Sequence, residues 1–272
     1  MPFSYIEDDP GRHARTGRPM PLHIETPLIQ SLPLGLAAGR DIWLKMDALQ
    51  PPGSFKIRGV GAACEHHARA GKRRFVSSSG GNAGMAVAYA GRQLSIPVSV
   101  YVPETTTERA KALIRQEGAD VIVHGAAWDE ANAKALASLD EDSAFVHPFD
   151  DPLLWTGHAT MIDEAVKAGL AFDAVVLSVG GGGLFAGVAE GLQRNGLGEV
   201  PILAVETEGT ASLAAAIEAR QLVALQAVSG IATSLGARQV SQRAFELSQT
   251  RPVESVVVSD ADAAQACIRF LD

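Results

Sequence analysis

Three short segments of this chain hold residue types suited to catalysis. The first runs Pro51-Pro52-Gly53-Ser54-Phe55-Lys56-Ile57-Arg58-Gly59. Pro and Gly impose a turn, Ser54 is placed to cap a following helix, and Lys56 then falls in that helix's first turn. An ammonium beside the positive end of a helix is disfavoured, and flanking Phe55 and Ile57 add desolvation, so both effects favour the neutral amine. A neutral amine is what Schiff-base chemistry requires. Taken alone, such a lysine is far more often a solvated surface residue.

The second segment, Ser77-Ser78-Ser79-Gly80-Gly81-Asn82-Ala83-Gly84, lies between an apolar strand and a small-residue helix. Such a junction presents free backbone N–H groups and small hydroxyls, which suits a carboxylate, and Asn82 adds a side-chain amide. A plain loop with a helix cap is its bland reading. The third segment, Ser178-Val179-Gly180-Gly181-Gly182-Gly183-Leu184, sits at another strand-to-helix junction, where consecutive glycines let the backbone fold around a phosphate. No Gly-Lys-Ser/Thr follows, so it is not a Walker loop. Glu206 is the acidic residue a dinucleotide fingerprint would want, but that match alone is weak. A nucleophilic lysine, a carboxylate cradle and a phosphate cradle together describe a site for pyridoxal phosphate and an amino acid.

The elements that must position these segments follow from the hydropathy pattern. From Arg73 onward short apolar runs alternate with amphipathic ones, the signature of an α/β fold with mostly parallel sheet. Strands are expected at Phe75–Ser77, Val98–Val102, Val121–Val123, Phe145–His147, Ala174–Val179, Ile202–Glu206 and Val256–Ser259. Helices are expected at Gly84–Leu94, Thr107–Glu117, Trp128–Leu139, Leu153–Lys167, Leu184–Gln193, Ser212–Ala219, Arg238–Leu247 and from Asp260. Before them lies an irregular lead-in with one strand candidate, Ile42–Met46.

The 272 residues suffice for two α/β units, with a break near Pro148–Pro152. With 47% hydrophobic residues the chain is not disordered, and a net charge of −8 without a basic stripe argues against nucleic acid as a partner. Lys72-Arg73-Arg74 reads as a solvated turn, and Asp150-Asp151 as a turn rather than a paired-carboxylate site. Cys64 and Cys267 lie far apart, which fits a reducing, cytoplasmic setting. Met1–Arg18 is polar and lacks the apolar core of a secretory signal, and no apolar run is long enough to span a membrane. The histidines show no metal-binding spacing.

In order along the chain, Pro52–Gly59, Ser79–Gly84, Pro148-Phe149-Asp150-Asp151-Pro152 and Ser178–Leu184 resemble the serine/threonine dehydratases of the fold-type II (tryptophan synthase β-like) pyridoxal-phosphate enzymes, and most nearly the short catabolic serine dehydratases. The resemblance implies two open, twisted, mostly parallel sheets with flanking helices. Residues 1–47 with 152–272 would form a large domain and 48–151 a small one. It implies α,β-elimination from L-serine to pyruvate and ammonia, with L-threonine as a further substrate, by a cytoplasmic homodimer with no nucleic-acid or membrane partner.

By the same resemblance, Lys56 would carry the cofactor and abstract the Cα proton, and Gly180, Gly181, Gly182 and Gly183 would hold its phosphate. Phe55 and Ser234 would face the two sides of the cofactor ring, and Asn82 would bond its 3′ oxygen. Ser79, Gly80, Asn82 and Ala83 would take the substrate carboxylate, and Phe149 would close the pocket. A monovalent cation, usually K+ in this family, would be held by Glu206 with carbonyls of Gly180, Thr210, Leu235 and Ala237. Gly80 stands where relatives often carry Ala or Ser, which bears on rate and on the choice between serine and threonine. The family's partner for the pyridine nitrogen is expected beyond Asp272, and Cys267 lies too early to replace it. An active lyase, a cofactor-binding but impaired relative and a cysteine synthase-like β-replacement enzyme are therefore the alternatives.

Overall fold

The computed structural model describes residues 21–271, so Met1–Arg18 and Asp272 lie outside the described residues. The lead-in is more regular than expected. Strands β1 (Leu28–Gln30) and β2 (Trp43–Lys45) pair antiparallel around helix α1 (Leu32–Ala38). Local signals account for α1: the Ser31 hydroxyl accepts from Leu34 N–H, a proline stands in the first turn, and Gly39 ends the helix at φ 65°.

Helix α2 (Lys56–Arg69) leads into a four-stranded parallel sheet made of β3 (Arg74–Ser77), β4 (Val98–Val102), β5 (Asp120–Val123) and β6 (Ser143–Phe145) in the order β5-β4-β3-β6. Helices α3 (Asn82–Leu94), α4 (Glu108–Gln116) and α5 (Trp128–Ala137) connect the strands. All five residues of β4 are buried, as befits a central strand covered on both faces. A second parallel sheet, β7 (Val175–Ser178), β8 (Ile202–Thr207) and β9 (Val253–Val258), runs in that order with α8 (Gly183–Arg194), α9 (Ser212–Ala219), α10 (Gln242–Thr250) and α11 (Asp260–Leu271). Between the sheets in sequence come α6 (Pro152–His158) and α7 (Thr160–Lys167).

Each sheet has its own apolar core, the first around Ile57, Phe75, Val87 and Val100 and the second around Leu177, Phe185, Leu192 and Ile202. Trp155 packs against both.

Several expectations shift. The single helix expected over 153–167 is broken at Ala159 into α6 and α7. β6 starts two residues early because Arg74 pairs with Ser143, so His147 leaves the sheet. α10 begins after its Ser241 cap, whose hydroxyl accepts from Ala244 N–H, while the Arg238 carbonyl instead accepts from Leu225 N–H at 2.7 Å. β9 starts at Val253, three residues before the expected strand. Arg74 is also less solvated than its basic run suggested, since its Nε donates to Ser143 Oγ at 3.0 Å. Among the described residues no helix is long and apolar enough to cross a membrane.

Candidate active site

Lys56 is the first residue of α2, and its N–H donates to Ser54 Oγ at 3.3 Å, although the capping position itself falls on Phe55. The Nζ donates to the Pro148 carbonyl at 2.6 Å. Burial pushes the amine's pKa down to about 8. The sequence anticipated that direction and half of its cause: dehydration of the ammonium is the physical origin.

Pro148 belongs to the loop that leaves β6. Because β6 runs parallel to β3, with the Val146 N–H donating to the Val76 carbonyl at 2.8 Å, this loop and the Ser79–Gly81 loop leave adjacent strands at the same edge. His147 shapes the turn: its Nδ1 accepts the N–H groups of Phe149 at 3.2 Å and Asp150 at 2.8 Å. Burial lowers the His147 pKa to about 4, so that nitrogen stays free to accept at neutral pH. Asp151 accepts from Leu153 N–H as the cap of α6, the turn role expected of it.

Phe149 brings this loop onto the glycine run between β7 and α8. A Cβ on Gly181 would lie 2.3 Å from the Phe149 ring, one on Gly183 would lie 2.7 Å from the Phe149 carbonyl, and one on Gly180 would lie 2.9 Å from the Leu235 carbonyl. Gly182 has φ +91°, a conformation that favours glycine, and its Cβ would strike Ala244 at 2.4 Å. Only glycines can follow this path, and the first N–H groups of α8 have no intrahelical acceptor, so the loop presents a positive, donor-lined cup. A depressed lysine amine and a glycine cup joined by one loop fit a phosphorylated aldehyde, the chemistry of pyridoxal phosphate.

The remaining expected residues distribute around this centre. Ser79 and Gly80 are half-buried, Asn82 is exposed at the start of α3, and Ala83 is buried beneath it. A Cβ on Gly80 would meet the Thr106 side chain at 2.7 Å. Ser234 sits in a single 3-10 turn, Thr233–Leu235, that reaches the cup through Leu235.

Glu206 follows the residue paired with Ser178, which sets it beside the head of the cup. Both of its carboxylate oxygens accept N–H bonds, from Leu213 and Ala214 at 2.8 Å. Burial raises its pKa against the pull of those bonds. Thr210 is buried, and the Ala237 N–H donates to the Leu235 carbonyl at 2.8 Å.

Sequence reasoning missed several residues whose roles come only from the fold. Besides the Pro148 carbonyl and Thr106, they include the partners of fully buried Arg58. Its guanidinium bonds Asp47 at 2.7 Å, Glu164 at 2.5 Å, Thr160 at 2.9 Å and Thr26 at 3.1 Å, and Lys45 pairs with the same Glu164. Two cations thus face two carboxylates, anchoring the first turn of α2 to α7 and to the segment after β2.

The pyridoxal-phosphate dependent enzyme family model matches residues 20–272. An L-serine dehydratase/L-threonine deaminase from Homo sapiens is 46% identical over 259 residues, 93% of this chain and 78% of the relative. An L-serine dehydratase from Dictyostelium discoideum is 42% identical over 93% of this chain and 77% of its own length. Among solved structures, a fungal L-serine ammonia-lyase from Rhizomucor miehei superposes with a TM-score of 0.86 at 37% identity, over 92% of this chain and 81% of that one.

Proposed function

The chain belongs to the pyridoxal-phosphate dependent enzyme family, and from that premise we propose that it is an L-serine dehydratase, converting L-serine to pyruvate and ammonia. The observation that carries this reading is the amine of Lys56, half-buried and 2.6 Å from the carbonyl of Pro148 in the loop whose next residue lies on the glycine cup.

The cofactor, when bound, supplies the electron sink that makes the substrate Cα proton acidic and allows the β-hydroxyl to depart. Lys56 is the base: with its pKa near 8, about a quarter of it is neutral at about pH 7.5. The Pro148 carbonyl orients the amine by accepting an N–H hydrogen bond from it in either charge state. Gly180–Gly183 and the positive head of α8 would hold the phosphate, and the Ser79–Asn82 loop with Ala83 would hold the substrate carboxylate. Phe55 and Ser234 would border the cofactor ring, Asn82 would donate to it, and Phe149 would cover the pocket. Loss of the Cα proton and the hydroxyl followed by hydrolytic loss of ammonia is redox-neutral, so no second cofactor is required.

The Glu206, Gly180, Thr210, Leu235 and Ala237 group is read as a K+ site, supported by the burial of Glu206 and Thr210 on the strand and turn beside the cup. L-threonine is read as a second substrate, supported by the paired names of the relatives. A cytoplasmic homodimer completes the reading, and two free cysteines fit such a reducing compartment.

The test is direct. The purified protein with pyridoxal phosphate should be yellow, retain the cofactor on Lys56 after borohydride reduction, and release pyruvate from L-serine, whereas Lys56→Ala should lose all three, with activity down by about a thousandfold or more. Cofactor uptake without borohydride-dependent labelling of Lys56, or pyruvate release surviving in Lys56→Ala, defeats the reading.

A further inference from the structure

Behind Phe55 lies His158, the last residue of α6. It is fully buried, and among the described residues neither ring nitrogen has a hydrogen-bond partner. Leaving an imidazole in that condition is unfavourable, so packing rather than polar bonding must hold it there. The packing is unusually close. A Cβ on Gly59 would lie 2.6 Å from the His158 Cε1, and one on Gly187 would lie 2.3 Å from the His158 Cβ. The Phe55 ring meets the imidazole edge to face, with centroids 5.0 Å apart.

The places of these two glycines give the contact its meaning. α2 begins at Lys56 and α8 at Gly183, so Gly59 and Gly187 each lie about one turn into their helices. The imidazole is therefore clasped one turn behind the lysine on one side and one turn behind the glycine cup on the other. Burial keeps it neutral. The charged groups that act on it are Lys56 and Arg58 from α2, with His23 from the segment before β1. Arg58 is neutralised by Asp47 and Glu164, and α8 offers only the Gly187 face.

We propose that His158 is a positioning residue, a neutral spacer that sets the separation between Lys56 and the glycine cup and backs Phe55 so that water is kept from the amine. The significance of that separation rests on the function proposed above, but the state of the Lys56 amine can be read on the full chain without cofactor. The measurement is the rate at which fluorodinitrobenzene modifies Lys56 as a function of pH, with the modified peptide identified by mass.

Wild type should show an inflection near 8. His158→Ala should raise it by about one unit or more, leaving roughly tenfold less neutral amine at a given pH, and should weaken pyridoxal phosphate binding by about tenfold. His158→Gln, close to histidine in length, should restore both. A purely structural residue would lower the melting temperature and leave the inflection in place, and that result in His158→Ala overturns the proposal. If His158→Ala does not fold, His158→Asn takes its place: a larger shift in Asn than in Gln supports the spacer, and any other order overturns it. A chain that shows the inflection yet binds no pyridoxal phosphate defeats the proposed function while leaving the comparison among variants intact.

Discussion

Given a Cβ, Gly81 in the loop between β3 and α3 would meet nothing within 4 Å, whereas Gly181 in the loop between β7 and α8 would strike the Phe149 ring at 2.3 Å. Both loops run from a parallel strand into a helix and both are built from glycine and small polar residues. In the first, the tip is open, Asn82 is exposed, and glycine keeps side chains away from an incoming ligand. In the second, the Phe149 side chain, the Leu235 backbone and side chains from Val240 to Ala244 occupy the glycine faces, and the absence of a Cβ lets the protein close upon itself. The open loop is suited to a substrate that arrives and leaves, and the packed one to a group that stays.

The sharpest break of this contrast is Gly182→Ala. A positive φ and a clash with Ala244 act together there, so the expected loss is about 3 kcal/mol or more in urea unfolding, with pyridoxal phosphate binding lost in parallel. Gly181→Ala should cost about 1–3 kcal/mol, because Phe149 has to move. Gly81→Ala, the matched change in the open loop, should stay within about 0.5 kcal/mol of wild type and retain the yellow colour. A Gly81→Ala protein as unstable as Gly181→Ala would erase the distinction.

Gly80 tests the boundary between the two behaviours. Its missing Cβ faces a stiff, β-branched Thr106, so Gly80→Ala should cost about 1 kcal/mol, and adding Thr106→Ala should recover most of it in a double-mutant cycle. Additive losses would show that the contact is not the cause.

The smallest effect concerns pH. The Lys56 amine has a folded-state pKa near 8, below its unfolded value, so between the two the unfolded chain binds more protons. The cofactor-free protein should therefore gain stability from this group as pH rises from about 8 to about 10. Comparison with Lys56→Met by calorimetry isolates the effect, since the variant should lack that gain.

Lys56 and the two glycine-bearing loops were legible because each signal is local: a turn before a helix, small residues between a strand and a helix; Phe149 came only with the family resemblance. Strand β4 and helix α9 also matched residue for residue, since burial on both faces and a small-residue periodic run leave little ambiguity. The rest depends on contacts between distant segments. Nothing near Arg58 announces Glu164, and nothing near His158 announces Gly59 and Gly187. The break at Ala159 was hidden because α6 and α7 share one amphipathic run, and α1 was passed over although its cap and terminal glycine were present.

Trp155 offers a different kind of consequence. Its indole N–H is tethered to the Phe149 carbonyl at 3.1 Å and its ring touches both apolar cores, while Trp43 and Trp128 are surface-exposed. The protein thus carries its own optical gauge: Trp155 emission should be bluer than that of the other two and should be quenched by energy transfer to a yellow ligand in the cup. Titration by fluorescence would then follow occupancy of the cup without any added label.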